Sequence, residues 1–286
     1  MKTVLVTGAS GQLGKCFQKL AAGEEGIDWL FMDSSELDIT SNQDLKDFFK
    51  SKRIDYCINC AAYTNVEKAE SDQEKAFEIN AKAVKILAEI CKKFHTILFH
   101  FSTDYVFDGT SKIPYSETDQ TNPINVYGAS KLKGENYIRD ILTDYFIFRT
   151  SWLYSEFGHN FFNTILNKAE EKAILNITTA QTGTPTNANH LACLVLMLIK
   201  KKNTNFGLYH FSNSGETSWY MFANEILKVS GNLNNVQLNK DNSYKTIAKR
   251  PSYSVLDKTK LLEAFKTILE PWEYAVGELY KSGIQN

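Results

Sequence analysis

The sequence predicts an α/β protein built on a doubly wound parallel sheet, with a smaller C-terminal lobe. Short apolar runs alternate with amphipathic stretches through the first half, a glycine-rich turn follows the first apolar run, and the rhythm loosens after about Ser151. Strand and helix in regular turn make βαβ units, and such units require parallel strands because each crossover returns the chain to the same edge.

Taken in order, residues 4–7, 30–32, 56–62, 97–101 and 146–150 are apolar runs of strand length, and residues 12–22, 43–50, 72–93 and 127–139 are amphipathic at helical spacing. Residues 1–150 are therefore expected to form a Rossmann-type unit. Residues 151–286 place aromatic and glycine-rich stretches (152–162 and 181–185) between further helices and strands. They are expected to form mainly a substrate-covering lobe, with some segments returning to the sheet. Lys200-Lys201-Lys202 closes an apolar helix at 191–199, where cations suit the carbonyl end.

The 32 basic and 33 acidic side chains nearly cancel, and no long block of one sign occurs. That pattern gives no electrostatic footprint for nucleic acid or for an anionic membrane and points to a small-molecule partner. Met1-Lys2-Thr3 runs directly into Val4-Leu5-Val6, a core strand and not a leader, and no run of about 18 apolar residues exists to span a membrane. The five cysteines (Cys16, Cys57, Cys60, Cys91, Cys193) are odd in number and scattered, which favours a reducing compartment, the cytoplasm. Cys57 and Cys60 have CxxC spacing, but on a strand residues three apart face opposite sides, so core cysteines are expected and no metal site.

Gly8-Ala9-Ser10-Gly11-Gln12-Leu13-Gly14 joins the first strand to the first helix. Glycines there let the backbone approach a pyrophosphate, whose charge the helix N-terminus then meets. Asp33 ends the second strand about twenty residues past the glycines, where a carboxylate accepts from the adenosine ribose hydroxyls. That favours NADH, while Ser34 and Ser35 leave NADPH open.

Of the 14 tyrosines only Tyr127 has a lysine four residues on, Lys131. Positions i and i+4 share a helix face, and a cation beside a phenol of pKa about 10 favours the phenolate, so Lys131 is expected to lower Tyr127 and fit it for proton transfer to a carbonyl. Thr103 ends the fourth strand at its carboxyl edge, where doubly wound sheets bind ligands, and is placed to orient that carbonyl. His100 and His210 lie on apolar strands and read as satisfied core histidines.

With these residues stand further motifs: Leu37-Asp38-Ile39-Thr40, the run from Asn59 to Glu70, Ser102-Thr103-Asp104-Tyr105-Val106-Phe107-Asp108-Gly109, Gly134-Glu135, Arg149-Thr150-Ser151-Trp152, Gly183-Thr184-Pro185-Thr186, Ser218-Trp219-Tyr220 and Arg250-Pro251. Together they resemble the extended short-chain dehydrogenase/reductase superfamily and, within it, the dTDP-4-dehydrorhamnose reductase family, over nearly the whole chain. The resemblance implies NADH or NADPH as cofactor, held by Gly8, Gly11, Gln12, Leu13, Gly14, Asp33, Asp38, Ile39, Ala62, Tyr63, Thr64, Tyr127 and Lys131. It implies Tyr127, Lys131 and Thr103 as catalytic residues, and Thr103, Asp104 and Trp152 as contacts to a dTDP-sugar whose C4 keto group is reduced to give dTDP-L-rhamnose. Asn80 matches an asparagine that supports the active site, although a buried amide satisfying helix backbone would read the same.

Three other activities resemble this one. Dehydratases of the superfamily follow Thr-Asp with a glutamate, where Tyr105 stands here; an epimerase of the same fold stays open; and the regulatory subunit of methionine adenosyltransferase is a non-catalytic relative. Relatives bridged into dimers by magnesium carry a glutamate after the glycine turn, where this chain has Lys15-Cys16, so a monomer or weak homodimer is expected.

Overall fold

The computed structural model describes residues 1–243 and 245–284, so the last two residues of the 151–286 stretch lie outside the described residues. Six strands form the central sheet: β1 (Lys2–Thr7), β2 (Ile27–Met32), β3 (Tyr56–Asn59), β4 (Ile97–Thr103), β5 (Tyr145–Thr150) and β6 (Gly207–His210). Their order is β6-β5-β4-β3-β1-β2 and every pairing is parallel. The chain winds outward from β1 in both directions, so the strand order reverses between β1 and β3, the crevice where such sheets take ligands.

Successive side chains of a strand face opposite ways, and both faces are apolar here because both are covered. Val4, Val6, Ile58, Phe99, Phe101, Phe146 and Phe148 pack on helices α1 (Gln12–Ala21) and, in the second half, α6 (Ala188–Lys200). Leu5, Cys57, Leu98 and Ile147 face the other way, onto α2 (Asn42–Ser51), α3 (Ala83–Phe94) and α4 (Val126–Ile141). Cys57 and Cys60 therefore serve different core layers, and all five cysteines are free.

The smaller lobe has its own apolar centre, in which α5 (Phe161–Glu170), α7 (Trp219–Val229) and α9 (Trp272–Ile284) gather around Tyr154, Phe162, Phe222 and Trp272. Between α7 and α9 lies α8 (Thr259–Phe265), whose Leu261 and Phe265 join the sheet core. Strand β6 belongs to the sheet although it follows the lobe's first helices. Among the described residues no helix is long and apolar enough to cross a membrane.

Two predicted elements differ. The strand over 56–62 stops at Asn59: a Cβ on Gly8, whose φ is +65°, would stand 2.6 Å from the Ala61 nitrogen, so the β1 turn occupies the space in which β3 would continue. The helix over 72–93 is broken into Gln73–Phe77, a π-helical turn at Glu78–Lys82, and α3. The wider turn swings Asn80 inward to serve the site described next.

Candidate active site

The site is a cleft of about 670 Å³ over the carboxyl ends of β1, β3, β4 and β5, roofed by the smaller lobe. Its floor begins at α1. The helix cap, Gly11, has no side chain to bond the first-turn N–H groups, so Ser10, Gln12 and Leu13 present backbone donors at the positive end of the helix, while the Gly11 N–H is held by the Gly8 carbonyl at 3.0 Å. Gly14 serves packing instead: a Cβ there would sit 2.5 Å from the Gly8 carbonyl oxygen, so glycine allows α1 to start this close to the turn.

On the opposite wall α4 carries Tyr127 and Lys131 into the cleft. Asn125 caps α4 by accepting from the Gly128 N–H at 2.8 Å, and Glu70 accepts from the Val126 N–H at 2.8 Å, so two side chains fix the turn that bears Tyr127. Thr103, the last residue of β4, accepts from the Tyr105 N–H at 3.1 Å and donates to the Asp104 carboxylate at 3.0 Å. Burial pushes the Asp104 carboxyl up to about 6, against hydrogen bonds from Ser254 and Thr103.

The charges differ from the sequence expectation at one point. Burial and then the Asp104 carboxylate push the Tyr127 hydroxyl up to about 12, the Thr103 hydroxyl acting the other way, and Lys131 is not among the groups that move it. A phenol held protonated is suited to donating a proton rather than taking one. Lys131 is buried and brought down to about 8 by that burial, with Glu135 and Cys60 opposing. Its ammonium makes no hydrogen bond to protein among the described residues. A buried ammonium facing a cleft together with uncapped helix N–H groups fits the ribose and pyrophosphate of a dinucleotide.

The predicted residues divide clearly. Gly11, Gln12, Leu13, Ala62, Thr64, Thr103, Asp104, Tyr127, Lys131 and Trp152 all line the cleft, with Gly8 and Gly14 directly beneath. Asp33, Asp38, Ile39 and Tyr63 stand outside the lining. Asp33 accepts from the Ser35 N–H and hydroxyl at 2.8 and 2.7 Å, which hold it below the ordinary carboxylate range, and Asp38 accepts from the Thr40 N–H and hydroxyl at 2.9 and 2.8 Å. Ile39 is buried, and the Tyr63 backbone is held from both sides by the Asn80 amide at 2.9 and 3.0 Å. The same amide donates to Ser130 of α4 at 3.0 Å, so Asn80 braces the loop after β3 against the helix that carries Tyr127.

Trp152 has a left-handed φ of +46°. Its indole is stacked on Trp219 at 3.7 Å, and beside it Gly183 leaves room that a Cβ, 2.7 Å from the ring, would remove. Trp219, Asn160, His159 and Arg250 complete the cleft and were not assigned there by sequence. Asn160 donates to Gln12 at 2.9 Å across the cleft, and Arg250 pairs with Glu67 at 2.8 Å. The available signals were weak: an asparagine before Phe161-Phe162, and the two motifs containing Trp219 and Arg250. Tyr105 is buried with its ring edge-to-face on Tyr127 at 6.0 Å, so no carboxylate occupies that place. His100 and His210 are buried, and burial holds both well below the ordinary histidine range, hence neutral. Among the described residues no group of three His, Cys, Asp or Glu is placed to hold a metal.

A parallel Rossmann-type sheet with this cleft at its switch point defines the chain as a doubly wound α/β protein of the nucleotide-binding class. It belongs to the dTDP-4-dehydrorhamnose reductase family: the model described as RmlD substrate binding domain matches residues 1–284. A protein of Aggregatibacter actinomycetemcomitans named dTDP-4-dehydrorhamnose reductase is 37% identical over 286 residues, covering 96% of this chain and 97% of its own. The solved dTDP-4-dehydrorhamnose reductase of Clostridium acetobutylicum is 38% identical with a TM-score of 0.92, over 99% of this chain and 100% of that one. That of Bacillus anthracis, solved in complex with NADP, is 33% identical with a TM-score of 0.92 over the same shares.

Proposed function

We propose that this chain reduces the C4 keto group of dTDP-4-dehydro-L-rhamnose to dTDP-L-rhamnose at the expense of NADH or NADPH. The observation that carries this reading is the meeting of Tyr127, Lys131 and Thr103 on one wall of a cleft whose floor is a bare helix N-terminus. Full-length similarity to proteins named as that reductase supports the choice of substrate.

In this reading the N–H groups of Gln12 and Leu13 hold the pyrophosphate, and Lys131 donates to the nicotinamide ribose. The bound, reduced nicotinamide supplies the hydride. Thr103 turns its one hydroxyl proton from Asp104 to the C4 oxygen and orients it, and Tyr127 gives that oxygen its phenolic proton as the C–O bond takes on alkoxide character. Asp104 and Trp152 position the sugar, the stacked indole offering a flat apolar wall. Residues 1–150 bind the dinucleotide and 151–286 mainly the sugar nucleotide, and the protein works in the cytoplasm as a monomer or weak homodimer without nucleic acid as a partner.

The test is a panel of keto-sugar nucleotides assayed with both reduced cofactors. Oxidation of NADH or NADPH on adding dTDP-4-dehydro-L-rhamnose, with dTDP-L-rhamnose formed, is the expected result. No oxidation with either cofactor, together with copurification of a synthetase, turns the reading to the non-catalytic relative.

A further inference from the structure

Beneath the cleft lies a charged group that the chemistry above does not use. Glu135 follows Lys131 by one turn of α4 and is wholly buried. Its carboxylate accepts from Arg149 three times, from Nε at 3.0 and 3.2 Å and from Nη2 at 2.7 Å, and from the Ser102 hydroxyl. Arg149 lies on β5 and is itself buried, its Nη1 3.5 Å from the neutral His210 ring and its guanidinium 5.1 Å from the Phe107 ring. Ser102 is the residue before Thr103. One carboxylate thus ties the helix of Tyr127 and Lys131 to the strand end that carries Thr103 and to the strand beyond.

A buried ion pair is an expensive way to fill a core, since apolar side chains of equal volume serve packing as well or better. What the pair adds is direction and charge. We propose that Glu135, clamped by Arg149 and Ser102, is a positioning residue for the reaction, setting α4 against β4 and supplying the counter-charge of the buried Lys131 ammonium. The proposal rests on the reading that Lys131 holds the cofactor. Groups that face Lys131 are Glu135 on its own helix, Cys60 after β3 and the uncharged His100 on β4. Glu135 is the carboxylate among them, and its removal leaves desolvation unopposed except by a thiol.

The experiment follows cofactor affinity by tryptophan fluorescence as a function of pH, with NADH and NADPH each titrated into the full-length protein. In the wild type affinity falls as Lys131 loses its proton, around pH 8. In Glu135→Gln the half-point moves down by about one unit, a tenfold change in the ionisation constant. Because Glu135→Gln leaves Arg149 buried without its partner, Glu135→Gln/Arg149→Met is measured beside it, removing the pair as a unit and keeping the volume. A downward shift smaller than in Glu135→Gln is expected in this folded double variant, because the Arg149 cation is removed with the carboxylate; a wild-type half-point in both variants overturns the proposal and leaves the pair a packing device. Lys131→Met separates the two readings: a pH dependence that survives there overturns the assignment of Lys131 and this proposal with it, whereas its loss beside unshifted half-points in both Glu135 variants overturns the role of Glu135 alone.

Discussion

Asp104 shows how the fold adjusts single residues to the chemistry of the cleft. Burial pushes its carboxyl up to about 6, so the folded protein holds a proton that the unfolded chain gives up near the ordinary value of 3.8. A raised folded value stabilises the fold below the unfolded one and loses that contribution as pH rises through about 6. Asp104→Asn is therefore expected to raise the thermal midpoint at pH 7 and to change it much less at pH 4, read by calorimetry at both. Equal effects at the two pH values would show that the carboxyl is not strained by burial. His210 works in the opposite sense: brought down to about 3 by burial and by Arg149, it keeps the fold stable above the ordinary histidine value, and that stability is lost as pH falls from about 6.5 toward 3. A chain denatured in acid with an unfolding midpoint unmoved by His210→Asn would contradict this.

At the scale of elements, α4 must lie flat on the 3-10 turn that follows β4 for Tyr127 to reach Thr103. A Cβ on Gly128 would stand 2.1 Å from the Tyr105 carbonyl oxygen, so Gly128→Ala must lift one element from the other. The variant is expected to lose about 2 kcal/mol of stability in urea and to lose turnover as well; wild-type turnover in a folded Gly128→Ala protein would mean that this spacing does not matter. The sequence made α4 legible because its apolar spacing is local. It did not make the π-helical turn at Glu78–Lys82 legible, because one added residue in a wider turn leaves the apolar pattern on both sides helical. What selects that turn is the contact of Asn80 with Tyr63 and Ser130, which is 17 and 50 residues away along the chain. The early end of β3 has the same origin, since the turn that blocks it comes from Gly8.

For the whole molecule, the two lobes supply opposite sides of one cleft. The half of the site that the sequence revealed lies where strands end and a helix begins, at Gly8 to Gly14, Thr103, Tyr127 and Lys131. The other half comes from segments that only the fold brings back: Asn160 onto Gln12, Trp219 under Trp152, and Arg250 onto Glu67. Short carboxylates such as Asp33 and Asp38 satisfy themselves within their own turns, so spacing from the glycines alone could not tell a ribose ligand from a turn cap. A ligand bound across both lobes stabilises only the folded state, so NADH or NADPH at a hundredfold excess over its dissociation constant is expected to add about 2.7 kcal/mol and raise the thermal midpoint by about 6 °C. Gln12→Ala with Asn160→Ala should reduce that rise, and an unchanged rise would place the dinucleotide elsewhere. The most direct test of the account is Tyr127→Phe, which removes one hydroxyl and nothing else from the cleft. With dTDP-4-dehydro-L-rhamnose and either reduced cofactor, turnover should fall by roughly 10²–10⁴-fold while the cofactor-induced rise in thermal midpoint is kept; a rate equal to that of the wild type would contradict the assignment of Tyr127 as the proton donor.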